Sequence, residues 1–201
     1  MRKCRIKNMV RRRRLLPLLL TSHLSLLTSL FSSCQSNSYQ IDGFARDCSE
    51  GDTICLLYRA DGSAVITQVE NGKFMFAGET NTIAVCRIFP KRTPERSVTI
   101  FLEPGQTTVE LSSQPAGNRV SGTKINNEWQ LLNDSVRWLG QEAVRTVMLP
   151  VTDSTTQRQR VKRLDSLHRR MSACILNTAR RNSDNPLGQY IKRNYQAPEF
   201  K

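Results

Sequence analysis

Histidine is almost missing from this chain of 201 residues. There are two, and because His23 falls in an apolar leader, His168 alone serves the remainder. That scarcity removes most nucleophilic and general acid–base arrangements built on an imidazole. Cys174 lies six residues from His168, about 240° around a helix, so the two do not pair. There is no Cys-x-x-Cys, no Gly-rich phosphate loop, no dinucleotide fingerprint and no nucleophile elbow. Zinc needs several clustered ligands, and the sequence offers no such cluster. The closest carboxylates, Asp42 with Asp47 and Glu50 with Asp52, sit in turn-like contexts where acids are common. The sequence therefore assigns no catalytic residue, no metal ligand and no cofactor, and the expectation is a protein that is not an enzyme.

Acidic residues are missing from one region, and this changes the meaning of the overall charge. The formal net charge is +13, yet residues 1–33 hold eight Lys/Arg and no Asp/Glu. From residue 34 onward there are 22 basic and 17 acidic residues, a net of +5. Up to and including Glu128 the balance is 9 basic to 11 acidic, and after it 13 to 6. The basicity thus belongs to the leader and the C-terminal part. Aromatics make up only 6% of the chain and do not interleave along the basic face of the second helix, so base stacking has no platform there. No nucleic-acid partner is expected.

The chain also lacks an apolar run long enough to span a bilayer. Residues 15–31 form an h-region of 17 residues broken by Thr21, Ser22, His23, Ser25, Thr28 and Ser29, whereas a spanning helix needs about 20 mostly apolar residues. Arg11 to Arg14 precede it, the charge arrangement of an export signal. Met9 is an alternative start that would give a leader of ordinary length. The segment Leu30-Phe31-Ser32-Ser33-Cys34 resembles the lipobox of bacterial lipoproteins, with Phe31 in place of the usual leucine. That resemblance implies cleavage before Cys34 and acylation of its thiol. Each buried CH₂ contributes about 0.8 kcal/mol, so two or three chains hold a protein durably on a membrane.

What is present after Cys34 is a series of short apolar runs. Residues 34–38 read as a polar tether, and strands are expected at 39–44, 55–58, 64–69, 73–78, 83–89, 97–102, 107–111 and 119–121. Asn71-Gly72 marks a tight hairpin turn. Simple alternation puts Phe74 and Phe76 on one face, with Lys73 and Met75 on the other. Near Gly122 the period lengthens to that of a helix. Asn126 or Asn127 is the expected cap, and Trp129, Leu132, Val136, Leu139, Ala143 and Val147 form an apolar stripe. Pro150 ends this helix, and Asp153 or Ser154 caps the next. There Val161, Leu164, Leu167, Met171, Cys174 or Ile175, and Thr178 form a second stripe. Asn185-Pro186 opens a short third helix. The fold class expected is α+β: an antiparallel β-sandwich or small barrel of seven or eight strands over 39–123, then two long helices and one short one over 124–201. The basic face of the second helix, with Arg158, Arg160, Lys162, Arg163, Arg169 and Arg170, is explained by solvation; the competing reading is contact with anionic head groups.

In order, the motifs are Tyr39-Gln40-Ile41-Asp42-Gly43, Asn71-Gly72-Lys73-Phe74-Met75-Phe76-Ala77-Gly78, Phe101-Leu102-Glu103-Pro104-Gly105, Val120-Ser121-Gly122-Thr123 and Asn127-Glu128. This succession resembles the domain of unknown function 4369, the β domain that precedes thioredoxin-like domains in lipoproteins of Bacteroidetes. Asn185-Pro186-Leu187-Gly188-Gln189-Tyr190 is similar to the helical connector of those proteins. In the longer relatives a Cys-x-x-Cys pair carries disulfide chemistry; this chain has none, so the resemblance implies no redox activity here.

Two further modifications are expected. Cys48 and Cys55 flank a turn between strands and are the candidate disulfide, while Cys86 and Cys174 read as buried thiols. Asp153-Ser154-Thr155 resembles the O-glycosylation sequon of Bacteroidetes envelope proteins, with Ser154 in a loop as the acceptor. The resulting expectation is an exported, lipid-anchored lipoprotein on the periplasmic face of the cell envelope or in the outer membrane, attached through acylated Cys34 and acting as a non-catalytic binding or assembly module for an unknown protein partner. The alternative is an accessory to, or remnant of, a thioredoxin-like thiol–disulfide exchange protein.

Overall fold

A computed structural model describes residues 37–195. The leader, the alternative start at Met9 and Cys34 all lie outside the described residues. The described residues run through eight strands, β1 (Ser38–Phe44), β2 (Thr53–Tyr58), β3 (Ala64–Gln68), β4 (Lys73–Glu79), β5 (Ala84–Pro90), β6 (Val98–Leu102), β7 (Gly105–Glu110) and β8 (Arg119–Ser121). Three helices follow, α1 (Lys124–Met148), α2 (Ser154–Arg181) and α3 (Pro186–Asn194).

The strands form two separate four-stranded sheets, in the orders β4-β1-β7-β8 and β3-β2-β5-β6. No strand is shared, so the architecture is the sandwich and not the barrel. One pairing departs from the antiparallel expectation: β1 runs parallel to β7, with Tyr39 opposite Gly105 and Phe44 opposite Glu110. The core is continuous from the sheets into the helices. Ile41, Phe74, Phe76 and Val109 meet Ile54, Leu56, Cys86, Ile88 and Ile100, and Trp129, Ile175 and Ile191 extend the same cluster. In β4 the expected alternation holds, with Phe74 and Phe76 buried and Met75 55% exposed. Gly43, opposite Phe74 in the ladder, leaves room for that ring: an added Cβ would stand 2.1 Å from it.

The Asn71-Gly72 turn is as tight as expected, with φ of 53° and 70° and Glu70 and Lys73 exchanging backbone hydrogen bonds of 2.8 and 3.0 Å. It does not, however, join two strands of one ladder, since β3 and β4 belong to different sheets. Val69 is completely buried, and its amide donates to the Asp52 carbonyl while its carbonyl accepts from Gly51. These bonds carry the β2–β3 register one step past the Thr53–Gln68 pair, so the chain leaves the second sheet after Val69 and the turn delivers it to the first.

Helix α1 begins earlier than expected. Thr123 is its N-cap residue, not Asn126 or Asn127. Asn126 is instead fully buried and bonded to β6: its Nδ2 donates to the Phe101 carbonyl at 2.8 Å and its Oδ1 accepts from the Phe101 amide at 2.9 Å. One turn on, Trp129 Nε1 donates to the Thr99 carbonyl at 3.0 Å, and Gln130 Oε1 accepts from the Val120 amide at 2.9 Å. β6 and β8 are the outer strands of their respective sheets. Three side chains of α1 thus satisfy backbone groups on the open edges of both sheets, which would otherwise be templates for aggregation. Gly122, at φ 114°, brings the chain past β7 so closely that an added Cβ would lie 2.2 Å from the Gln106 carbonyl oxygen.

Helix α2 is capped by Asp153, one of the two residues expected. Asp153 Oδ1 accepts from the amides of Thr155 and Thr156, each at 2.8 Å, and Thr156 Oγ1 accepts from the Asp153 amide at 3.1 Å. This is a reciprocal capping box. Asn185 caps α3 through Leu187 and Gly188, with Pro186 in the first turn, as expected. The two apolar stripes are buried only in part. Trp129, Leu132, Leu139, Leu167 and Ile175 are covered, whereas Val147 and Val161, expected in the stripes, are 53% and 48% exposed. Arg137, whose guanidinium donates to the Ala116 carbonyl, is the last α1 residue hydrogen-bonded to the sandwich among the described residues.

Candidate functional site

Cys48 and Cys55, the candidate disulfide, stand as free thiols, as do Cys86 and Cys174. Cys55 is held within β2, opposite Ile66 of β3 and Phe89 of β5, which fixes its side chain in a ladder. Cys48 lies in the loop after β1, and its Sγ is 4.0 Å from Arg96 Nη1. Arg96 threads between loops: its Nε donates to the Ser112 carbonyl at 2.9 Å and its Nη2 is 3.9 Å from Asp47. Burial pushes the Cys48 thiol up despite the neighbouring guanidinium, and burial pushes Cys86 up to about 12. Neither has the character of a low-pKa redox cysteine. Cys86 is fully buried, as its sequence context implied, while Cys174 is half-buried against the core.

Ser154 is the first residue of α2 and not a loop residue. Its side chain is exposed, and its hydroxyl accepts weakly from Arg158 Nη2 at 3.4 Å. His168 is likewise exposed on the outer face of α2. The carboxylate of Asp42 is held below its ordinary value by hydrogen bonds from Gln106 and then Gln40, at the protein surface. Among the described residues no group of His, Cys, Asp or Glu is arranged to hold a metal ion. No helix among them is long and apolar enough to cross a membrane.

A concave feature lies between α1 and α2, a groove of about 620 Å³. Leu132 and Leu139 line its apolar part, and Leu131 and Trp138 stand 66% and 48% exposed along it. Charge frames the groove. The Arg170 guanidinium lies 5.3 Å from the Trp138 ring centre, and Arg181 pairs with Glu128 at 3.2 Å. An aromatic plate, three leucine side chains and flanking arginines suit the capture of an amphipathic segment better than bond-breaking chemistry. Leu132 and Leu139 were legible as stripe residues, whereas the groove itself depends on α1 and α2 coming together, with Arg170, Cys174 and Arg181 of α2 completing its lining.

A two-sheet sandwich sealed by a helix, with a second helix forming an open groove against it, defines a class of small β domain with a helical extension. Residues 39–129 match the family described as Domain of unknown function (DUF4369), so the resemblance carried by the motifs holds for the whole sandwich and the first turns of α1. The match ends at Trp129, and the groove lies largely beyond it. No curated protein matches the chain.

Proposed function

We propose that this is a cell-envelope lipoprotein, tethered through acylated Cys34, that works as a non-catalytic binding or assembly module. The observation that carries the binding role is the α1–α2 groove, where Trp138 and Leu131 remain exposed beside Arg170, Arg181 and Glu128. Aromatic and arginine side chains at an unfilled apolar site are the anchors that protein interfaces use most. The tether rests on the leader and on the cysteine that follows it. From Cys34 only a few residues lead to β1 at Ser38, so an acylated chain would hold the sandwich within about 15 Å of the bilayer surface. A thioredoxin-like protein is one candidate occupant of the groove, with this chain as its accessory.

Two measurements test this reading. Growth with clickable palmitate should label the wild-type protein and leave Cys34→Ala unlabelled. A photo-crosslinking residue at Leu131 should recover one specific protein from intact envelopes, and Trp138→Arg should abolish that recovery. An unlabelled wild type removes the tether, and recovery unaffected by Trp138→Arg removes the groove.

A further inference from the structure

We propose that the free end of the α1–α2 hairpin is a membrane-interface element that docks on an anionic lipid surface. Val144, Val147, Met148, Leu149, Val151 and Val161 are between 41% and 77% exposed there. Val144, Val147 and Met148 recur at spacings of three and four and so share one face of α1. Leu149 and Val151 continue the patch through the connecting turn, and Val161 adds to it from α2. Large side chains clustered in this way on a water-facing surface mark a contact.

The charge around the patch selects the occupant. Arg145, Arg158, Arg160, Lys162 and Arg163 share this end of the hairpin with it, and the Arg160 guanidinium donates to the Leu149 carbonyl within the patch. Between residues 144 and 163 the one acid is Asp153, whose carboxylate is committed to the α2 cap. Glu142, just outside, is shared between Arg145 and Arg163. The apolar members are all aliphatic or methionine. Protein hot spots favour aromatic anchors, whereas aliphatic insertion beneath a ring of cations is the pattern of interfacial helices on anionic lipid. Reach is adequate as well: from Arg137, the last α1 residue bonded to the sandwich, to Met148 the helix advances roughly 16 Å. The exposed ends of both apolar stripes, costly in a purely helix–helix role, have a use at a bilayer. Docking of this kind does not depend on acylation of Cys34.

The unit beginning at Asn37 contains the whole core, so it can be tested without the leader or Cys34. Its co-sedimentation is measured with vesicles of phosphatidylcholine alone and with about one-third phosphatidylglycerol. Binding is expected to the anionic vesicles only, and to weaken as salt is raised. Val147→Asp with Met148→Asp should weaken it about tenfold or more, and Arg158→Glu with Lys162→Glu should do the same. Because these side chains are exposed, urea midpoints should stay at the wild-type value, which separates lost docking from lost folding. Binding that is absent, or equal for wild type and both double variants, overturns the proposal. Concentration-dependent dimerisation removed by Met148→Asp, without vesicle binding, also overturns it by assigning the patch to a second copy. Failure here leaves the palmitate result untouched, so the tether and the docking element are judged separately.

Discussion

A thiol with no exposure and a pKa pushed up to about 12 keeps its proton long after an unfolded chain has released it. The sign of the resulting pH dependence follows from linkage. The ordinary value is 9.0, so the contribution of Cys86 is complete below that pH and declines as pH rises toward 12, where the unfolded state increasingly gives up a proton that the folded state retains. Urea midpoints taken from about pH 8 to pH 11 should fall more steeply for wild type than for Cys86→Ala, which starts lower through lost packing. Parallel curves would contradict this. Asn126 sets a different test at the same scale. Asn126→Ala leaves the amide and carbonyl of Phe101 without partners inside the protein, and should cost about 3 kcal/mol in urea unfolding. Asn127, next in sequence and exposed, accepts only from the Gly122 amide, so Asn127→Ala should cost well under half as much.

At the scale of the element, α1 is both a helix and the missing neighbour of two strands. Trp129 contributes a ring, set edge-on to Phe101 at 6.0 Å and to Tyr190 at 5.4 Å, and an N–H bonded to Thr99. The two contributions can be separated. Trp129→Phe removes mainly the hydrogen bond and should cost about 1 kcal/mol, whereas Trp129→Ala removes the ring and should cost about 3–5 kcal/mol. This element also marks the limit of what was legible. The strands, the Asn71-Gly72 turn, the Asp153 cap and the Pro186 start are written within a few residues of themselves, and each appears where local chemistry places it. Asn126 looked like a cap because cap signals are local; its real partner, Phe101, lies 25 residues away and is chosen by tertiary packing. The ends of the two stripes looked buried for the same reason. Periodicity reports that a face is apolar, and cannot report whether anything covers it. Of the candidate site, Leu132 and Leu139 were readable, but the opening between the helices and the stacking of Arg170 on Trp138 require the crossing of two helices.

For the molecule as a whole, the sandwich and its helices are interdependent. A chain ending after Thr123 would leave β6 and β8 without the bonds supplied by Asn126, Trp129 and Gln130. Residues 37–123 alone should therefore self-associate, and size-exclusion chromatography should show larger species where the unit carrying all three helices is monomeric in the absence of lipid. Charge follows the same division, with the acidic balance on the sandwich and the basic balance on the helices. The parallel pairing of β1 with β7 has a consequence for the order of folding. β1 lies between β4 and β7, so the first strand to emerge needs one neighbour from the middle of the domain and another from near its end. Such distant pairings make folding slow. A chain that emerges N-terminus first keeps Tyr39 and Ile41 unpaired on one side until Gly105 to Glu110 arrive, which sets the interval during which that edge is open to other chains.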